Sequence, residues 1–187
     1  LTANKDLRVT TAGTNTASVL TVDGTQTTAN KTLTAPTLNG VVSLGDGATI
    51  KRIVPTVDGT ATGPTTSAFV SGYTSSAIGD LVYLDSAGKW QKTDSDALAT
   101  TTGLLGIALA VAATDAALLV ALPGSIVYAT AFPTLTIGAP YYVGETAGAI
   151  QSAIPTGADN AVRVVGFGVH ADKLYFLPSS DTSTTVA

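Results

Sequence analysis

Residues 80–92, DLVYLDSAGKWQK, decide the fold of this chain. Residues 80–84 form a short apolar run rich in side chains that favour strands, and residues 89–92 form a second run around Trp90. The segment DSAG at residues 85–88 lies between them and is typical of a tight turn. The stretch therefore predicts a β-hairpin.

The same alternation of short apolar runs and turns continues towards the end of the chain. We expect further strands at residues 104–112, 116–122, 125–131, 134–137, 141–143, 149–153, 162–169 and 174–177. The turns between them contain Gly, Pro or Asp, as in Pro123-Gly124. Many short strands separated by such turns are typical of a β-sandwich or barrel. No segment has the length and period of a substantial helix, and Asp94 is placed to begin one helical turn.

The first third of the chain has a different character. Residues 1–54 are rich in Thr, Asn and Gly, and their large apolar side chains are too sparse to form a core. We therefore predict an all-β protein with four parts: an extended N-terminal arm with short strands over 1–54, a linker or loop over 55–72, a compact all-β body over 73–180 and a polar tail over 181–187. The pentapeptide TVDGT occurs at 21–25 and again at 56–60, and it predicts two similar strand–turn corners.

Charge is sparse and unevenly distributed. Of the 187 residues, 45% are hydrophobic and 12% are charged, so we expect much of the surface to be hidden in an assembly. Residues 1–54 contain five basic and three acidic residues, a net charge of +2, whereas the remainder contains four basic and ten acidic residues, a net charge of −6. This division favours contact between the arm and an acidic surface. Five scattered basic residues without aromatics are too few for a nucleic-acid groove.

The apolar stretch at residues 103–122 does not predict a membrane span. Asp115 lies within it, and a charge at the centre of a bilayer costs about 2.5–3.5 kcal/mol on insertion scales. Two short buried strands joined at residues 113–115 explain the stretch better.

The sequence offers few candidate residues for chemistry, and we predict no catalytic, cofactor-binding or metal site. His170 is the single histidine, and Asp172 is near enough to pair with it, but no GxSxG nucleophile motif accompanies them. With one His and no Cys, a zinc site is excluded. Asp94-Ser95-Asp96 contains acidic ligands for a hard cation but lacks the Gly turn and the downstream Glu of a calcium loop.

Two further patterns are better explained by packing of the strands than by a ligand-binding site. Gly166-Phe167-Gly168 lies inside a β-branched run and lacks the Lys of a phosphate-binding loop, so we expect close strand packing or a bulge there. Tyr141 and Tyr142 are consecutive in a strand, so one should be buried and the other should point to solvent or a neighbour. We expect most body aromatics to be core residues or anchors of a subunit interface; the set is Tyr83, Trp90, Tyr128, Phe132, Tyr141, Tyr142, Phe167, Tyr175 and Phe176.

Two parts of the sequence resemble virion proteins of tailed bacteriophages. Residues 23–40, DGTQTTANKTLTAPTLNG, are similar to a segment of phage fibre and head-surface proteins, although Thr28-Ala29 replaces a usually apolar position. The second part resembles a β-domain appended to phage structural proteins and the small capsid-decoration family. It comprises GDLVYLDSAGKWQKTDSDA from Gly79, GLLGIALA, LLVALPGSIVYA, LTIGAPYYVGETAGAIQ and VRVVGFGVHADKLYFLPSSD.

The resemblance implies a non-enzymatic capsid decoration (cement) protein. Such a protein forms a homotrimer, binds the major capsid protein on the outer surface of the virion head, and is assembled in the host cytoplasm. The resemblance implies that residues 1–54 are its docking and trimerisation arm. The alternative is a tail-fibre or head-fibre subunit whose β-body binds a host surface glycan. An enzyme, such as a glycan hydrolase, would need a geometrically paired set of acids. The resemblance implies no cofactor, nucleic-acid partner or membrane partner.

Overall fold

The computed structural model describes residues 53–185. The predicted arm over residues 1–54 therefore lies outside the described residues except for Ile53 and Val54, and it stays a prediction. The first copy of the repeated pentapeptide also lies outside them. Its second copy forms a turn, in which the Thr60 backbone N–H donates to the Val57 carbonyl (3.2 Å), and the first strand begins at Thr60.

Residues 53–185 contain fourteen strands and a single turn of 3₁₀-helix at Leu98–Thr100, so the predicted all-β class is confirmed. The strands are β1 (Thr60–Thr62), β2 (Thr65–Thr66), β3 (Val70–Ser71), β4 (Leu81–Leu84), β5 (Lys89–Lys92), β6 (Leu105–Ala108), β7 (Val120–Ala121), β8 (Ser125–Tyr128), β9 (Pro140–Val143), β10 (Ile150–Gln151), β11 (Ala161–Val162), β12 (Val164–His170), β13 (Lys173–Phe176) and β14 (Ser183–Thr184).

Two six-stranded sheets form the body. The first sheet has the order β1-β8-β13-β12-β9-β10 and is antiparallel throughout. The second sheet has the order β2-β7-β6-β4-β5-β3 and is antiparallel except for the β3–β5 pair. A separate two-stranded ribbon joins β11 to β14.

The main core lies between the two sheets. Alternate residues of β4 and β6, such as Leu81 and Ile107, pack from the second sheet against Val127, Leu174 and Phe176 of the first sheet. Because successive strand residues point to opposite faces, each sheet contributes one apolar face to this layer. The body is therefore a β-sandwich.

A second apolar cluster covers the other face of the second sheet. Val82, Trp90 and Val120 point away from the main core and pack against Leu118 and Ala112 of the loop 109–119. The second sheet is thus buried on both faces, whereas the first sheet has one buried face and one open face.

The predicted hairpin is present. β4 pairs with β5 in antiparallel register, with Leu84 opposite Trp90. The Asp85 carboxylate accepts hydrogen bonds from the backbone N–H groups of Ala87 and Lys89, both at 2.9 Å, and Gly88 adopts a φ of 74°. This is the side-chain–backbone pattern that makes Asp favourable in a tight turn.

The structure corrects several sequence-based boundaries. Residues 60–71, predicted to lie in a linker or loop, form β1, β2 and β3 at edges of both sheets. The predicted tail contributes β14. Residues 134–137 are not a strand, because Leu135 is held by a single backbone bond to Ala171 (2.8 Å) and packs into the core from a loop.

The helical turn also begins later than predicted. Its N-cap position is Ala97, which makes no side-chain capping bond. Asp94 instead accepts a hydrogen bond from the Asp96 backbone N–H at 3.1 Å. The local Asp–backbone bond therefore forms a turn before the helix rather than its cap.

Candidate functional site

His170 and Asp172 lie at the end of β12 and in the turn that follows it, and they are brought together as expected. His170 Nδ1 is 2.6 Å from Asp172 Oδ1, and the Lys173 ammonium donates to the same oxygen at 2.8 Å. The hydrogen bond from Lys173, with a further contribution from His170, lowers the pKa of Asp172. The only side chains that His170 contacts by hydrogen bonds within residues 53–185 are Asp172 and Lys173. The group is an ion-pair cluster on the surface.

Asp94, Ser95 and Asp96 do not converge on a common point. Ser95 is fully buried, whereas Asp96 is exposed. No group of three His, Cys, Asp or Glu side chains within residues 53–185 is arranged to hold a metal ion.

The glycines at residues 166 and 168 have the packing role that the sequence indicates. A Cβ atom on Gly166 would lie 2.2 Å from the Tyr175 carbonyl oxygen, and one on Gly168 would lie 2.3 Å from the Thr136 carbonyl oxygen. The register of β12 against its neighbours shifts between Val164 and Gly166 and again between Gly168 and His170. These irregularities are consistent with the predicted bulge.

Asp80 is the centre of a half-enclosed polar cluster that the sequence did not reveal. Its carboxylate accepts hydrogen bonds from the Tyr73 hydroxyl (3.0 Å) and the Ala77 backbone N–H (2.7 Å), and it pairs with the Lys92 ammonium (3.1 Å). Burial, together with the negative charge of Asp80, raises the pKa of the Tyr73 hydroxyl. An adjoining cavity of about 160 Å³ is lined by residues 77–80, 131–133 and 147–150. The partners of Asp80 connect the segment around Tyr73 and Ala77 to Lys92 on β5, and we therefore assign the cluster a structural role.

Arg163 is a buried cation held by carbonyl groups. Its side chain donates to the carbonyl oxygens of Ser179 (2.9 Å), Gly103 (3.1 Å) and Thr101. Burial lowers the pKa of its guanidinium. Arg163 therefore ties the segment around Thr101 to the C-terminal segment.

A second, open polar cleft of about 500 Å³ lies beside Glu145 and Asn160. The Glu145 carboxylate accepts hydrogen bonds from the backbone N–H groups of Thr156 (2.7 Å) and Gly157 (3.2 Å), and these lower the pKa of Glu145. Of the two carboxylates that line this cleft, those of Glu145 and Asp96, the Glu145 carboxylate is thus already engaged in fastening a loop.

The open side of the first sheet is the most distinctive surface of the body. Directly paired residues form a row across five neighbouring strands, and the row consists of Thr62, Ile126, Tyr175, Phe167 and Pro140. Their chain neighbours Ala61, Val127, Leu174 and Phe176 pack into the core, which shows that the row points outwards. We call this surface the outer face.

Further apolar side chains extend the outer face on both sides of the row. Tyr128 lies on one side, with the Lys173 ammonium 4.4 Å from the centre of its ring. Val164 and Tyr142 pair with each other on the other side, and Leu177 follows β13 there. The defining residues of the outer face are Thr62, Ile126, Tyr128, Pro140, Tyr142, Val164, Phe167, Tyr175 and Leu177.

The outer face is open within the described part of the chain. Phe167 is 39% exposed and Leu177 is 44% exposed, although Phe167 lies between two neighbouring strands in the interior of the sheet. Tyr141 is buried and its hydroxyl is hydrogen-bonded to Thr136 N–H, whereas Tyr142 is half-buried, as the consecutive pair predicted. A contiguous exposed apolar surface of this kind marks an interaction site.

The sequence identified the aromatic residues of this face but not their arrangement. Trp90, Phe132, Tyr141 and Phe176 are core residues, as expected of most body aromatics. The alignment of Phe167 with Tyr175 depends on strand pairing, which short strands do not specify from sequence alone.

No protein-family model, curated protein or solved structure matches the chain. Residues 53–185 also contain no helix that is long and apolar enough to cross a membrane. The function is therefore inferred from the sequence resemblance and from the geometry of the outer face.

Proposed function

We propose that the protein is a capsid decoration (cement) protein of a tailed bacteriophage. It is a non-enzymatic virion structural protein that binds the major capsid protein on the outer head surface as a homotrimer and stabilises the capsid. Residues 1–54 act as the docking and trimerisation arm, and the β-sandwich is the domain that they attach to the virion.

The outer face is the observation that carries this proposal. The sandwich has a sheet face that no segment of residues 53–185 covers and that is rich in aromatic and aliphatic side chains, and such a surface is suited to association with protein subunits. The resemblance to phage head-surface proteins indicates which kind of assembly those subunits form.

Charge supports the assignment of docking to the first part of the chain. Residues 1–54 have a net charge of +2, whereas residues 55–187 have a net charge of −6. An acidic capsid surface would attract the former and repel the latter. A protein that binds the assembled capsid and not its separate subunits stabilises the capsid by mass action. The stabilisation is about 2.7 kcal/mol per site when the concentration of free protein is 100 times the Kd.

A truncation tests the docking role. Removing residues 1–40 should abolish co-sedimentation with undecorated capsids of the encoding phage, because most of the proposed docking arm over residues 1–54 is lost. The body should keep its β-type circular dichroism and its Trp90 fluorescence, since its core is made by residues beyond the truncation. Unchanged occupancy of the capsids by the truncated chain would contradict the proposal.

The alternative is a fibre subunit whose body binds the host surface. The observation in its favour is that Phe167 and Tyr175 lie side by side on an exposed face, since aromatic rings stack on sugars. Saturable binding of the purified protein to host cells, reduced by Phe167→Ala, would favour this alternative. Saturable binding to capsids and none to host cells would exclude it.

A further inference from the structure

We propose that the outer face is the surface through which copies of this chain associate, its occupant being a second copy of the same chain. This inference deepens the homotrimer of the proposed function and rests on that proposal for the number of subunits. The surface itself is inferred from the composition, charge and shape of the outer face.

The composition of the outer face matches that of a subunit interface. Its centre contains Phe167, Tyr175 and Ile126, and none of its nine defining side chains is charged, although Lys173 lies on the same face at its margin, directly opposite Tyr128. The ionic cluster of Lys173, Asp172 and His170 lies at one end. An apolar aromatic centre with charges confined to the rim is the anatomy of interfaces between identical subunits.

Charge favours a copy of the same chain over a charged partner. Residues 53–185 carry four basic and ten acidic residues, so two such bodies repel each other wherever carboxylates face carboxylates. The outer face has no carboxylate among its defining residues, and Asp172 at its end is neutralised by Lys173. The centre of this face lets two acidic bodies approach without opposing charges, and the centre offers a basic or acidic partner no complementary group.

The row of side chains is suited to contact with another extended surface. It crosses five neighbouring strands in direct register, from Thr62 on β1 to Pro140 on β9. Three such faces turned towards a common three-fold axis would enclose their aromatic side chains and remove them from water. This arrangement agrees with a trimer.

Sedimentation of the full chain tests the inference without any capsid. Wild-type protein should sediment as an oligomer of the 18.6-kDa chain. Phe167→Lys should weaken self-association by at least about 30-fold, the effect of losing one interfacial hot spot, because the interface would then bury a charge. Val111→Lys is the matched control. Val111 is 71% exposed in the loop 109–119 against the second sheet, so the same change there should leave the oligomer intact.

A second variant distinguishes loss of the interface from misfolding of the first variant. Leu177→Lys adds a charge to an apolar side chain of the outer face that is 44% exposed after the end of β13, and it should also weaken self-association, by a smaller factor than Phe167→Lys. Each variant is checked by Trp90 fluorescence, which reports on the second apolar cluster. A wild-type monomer at all concentrations, or oligomers that persist in both folded variants, would overturn the inference.

Failure of this inference is distinguishable from failure of the proposed function. A monomeric chain that still binds capsids overturns self-association through the outer face and leaves the decoration role standing. An oligomer that dissociates on Phe167→Lys but binds no capsid supports self-association through the outer face and overturns the decoration role.

Discussion

Strand β13 approaches β12 so closely at Gly166 that no side chain fits between them. A Cβ atom there would lie within 2.2 Å of a backbone oxygen, which cannot move aside as the end of a flexible side chain can. A Cβ atom added to Gly168 would lie 2.3 Å from a second backbone oxygen, that of Thr136. The two glycines allow β12 to lie flat against its neighbours, and Phe167 between them points outwards.

Gly166→Ala should therefore lower the free energy of unfolding by about 1–3 kcal/mol, the usual cost of overpacking. Gly103→Ala is the matched control, since its nearest contact would be 3.9 Å away and its φ is not positive. It should change stability by less than about 0.5 kcal/mol. Urea denaturation followed by Trp90 fluorescence measures both, and equal stability of the two variants would contradict the close approach.

Hydrogen bonds between residues that are close in the sequence were predictable, whereas those between residues that are distant in the sequence were not. The turn at Asp85 follows from a side chain that bonds to backbone groups two and four residues away. Arg163 instead meets Thr101 and Gly103, which are about sixty residues distant in sequence, and only the folded chain brings these groups together.

The loop 109–119 is a structural element without regular secondary structure. Leu118 and Ala112 on this loop cover Trp90 and the rest of the second apolar cluster. Ser76 fixes the loop, because its hydroxyl accepts from the Ala112 backbone N–H at 2.6 Å and donates to the Ala110 carbonyl at 3.1 Å. Ser76 is itself 1% exposed, so water cannot replace it in these bonds.

Ser76→Ala should destabilise the protein by about 1–3 kcal/mol, because a buried N–H group is left without a partner. The fluorescence of Trp90, the single tryptophan, should report the loss as a lower urea midpoint. Ser86→Ala, in the exposed hairpin turn, should leave the midpoint unchanged. A midpoint unaffected by Ser76→Ala would show that the loop is held by its apolar contacts alone.

At the scale of elements, the longer strands were predictable and the shortest were not. β4 and β5 have the apolar and aromatic residues that strands favour. β1, β2 and β3 consist largely of Thr and Ser beside Gly63 and Pro64, a composition that is typical of loops. Their strand geometry comes from pairing with β8, β7 and β5, a tertiary effect.

The whole molecule combines an acidic body with one uncharged apolar face. Two proposed interactions should therefore respond to salt in opposite directions. Screening removes the repulsion between bodies of net charge −6, and it also removes the attraction between the basic arm and an acidic capsid.

Raising the salt concentration from about 0.05 to about 0.5 M should strengthen self-association and weaken capsid binding, since the Debye length shortens several-fold over this range. Sedimentation equilibrium measures the first effect, and co-sedimentation with capsids measures the second. Weaker self-association in high salt would contradict an interface without carboxylates, and salt-independent capsid binding would contradict docking by charge.

The sequence predicted a β-sandwich or barrel, but neither the choice between the two nor the identity of the open sheet followed from it. Leu81 and Val82 are consecutive, apolar and both buried, because the structure covers β4 on two sides. Tyr175 and Phe167 are equally apolar by composition, yet no described segment covers them. Which sheet receives a covering loop depends on chain connectivity between strands, which composition does not specify.

The stacked layers of the body place two different surfaces on opposite sides of it. The outer face forms one end of the stack, and the loop around Val111 forms the other, separated from it by both sheets and both apolar clusters. A peptide inserted at Val111, which is 71% exposed, would project away from the subunit contacts of an assembled particle. If the proposed assembly forms, the separation of the two surfaces would thus make the chain a scaffold for displaying foreign epitopes in an ordered array.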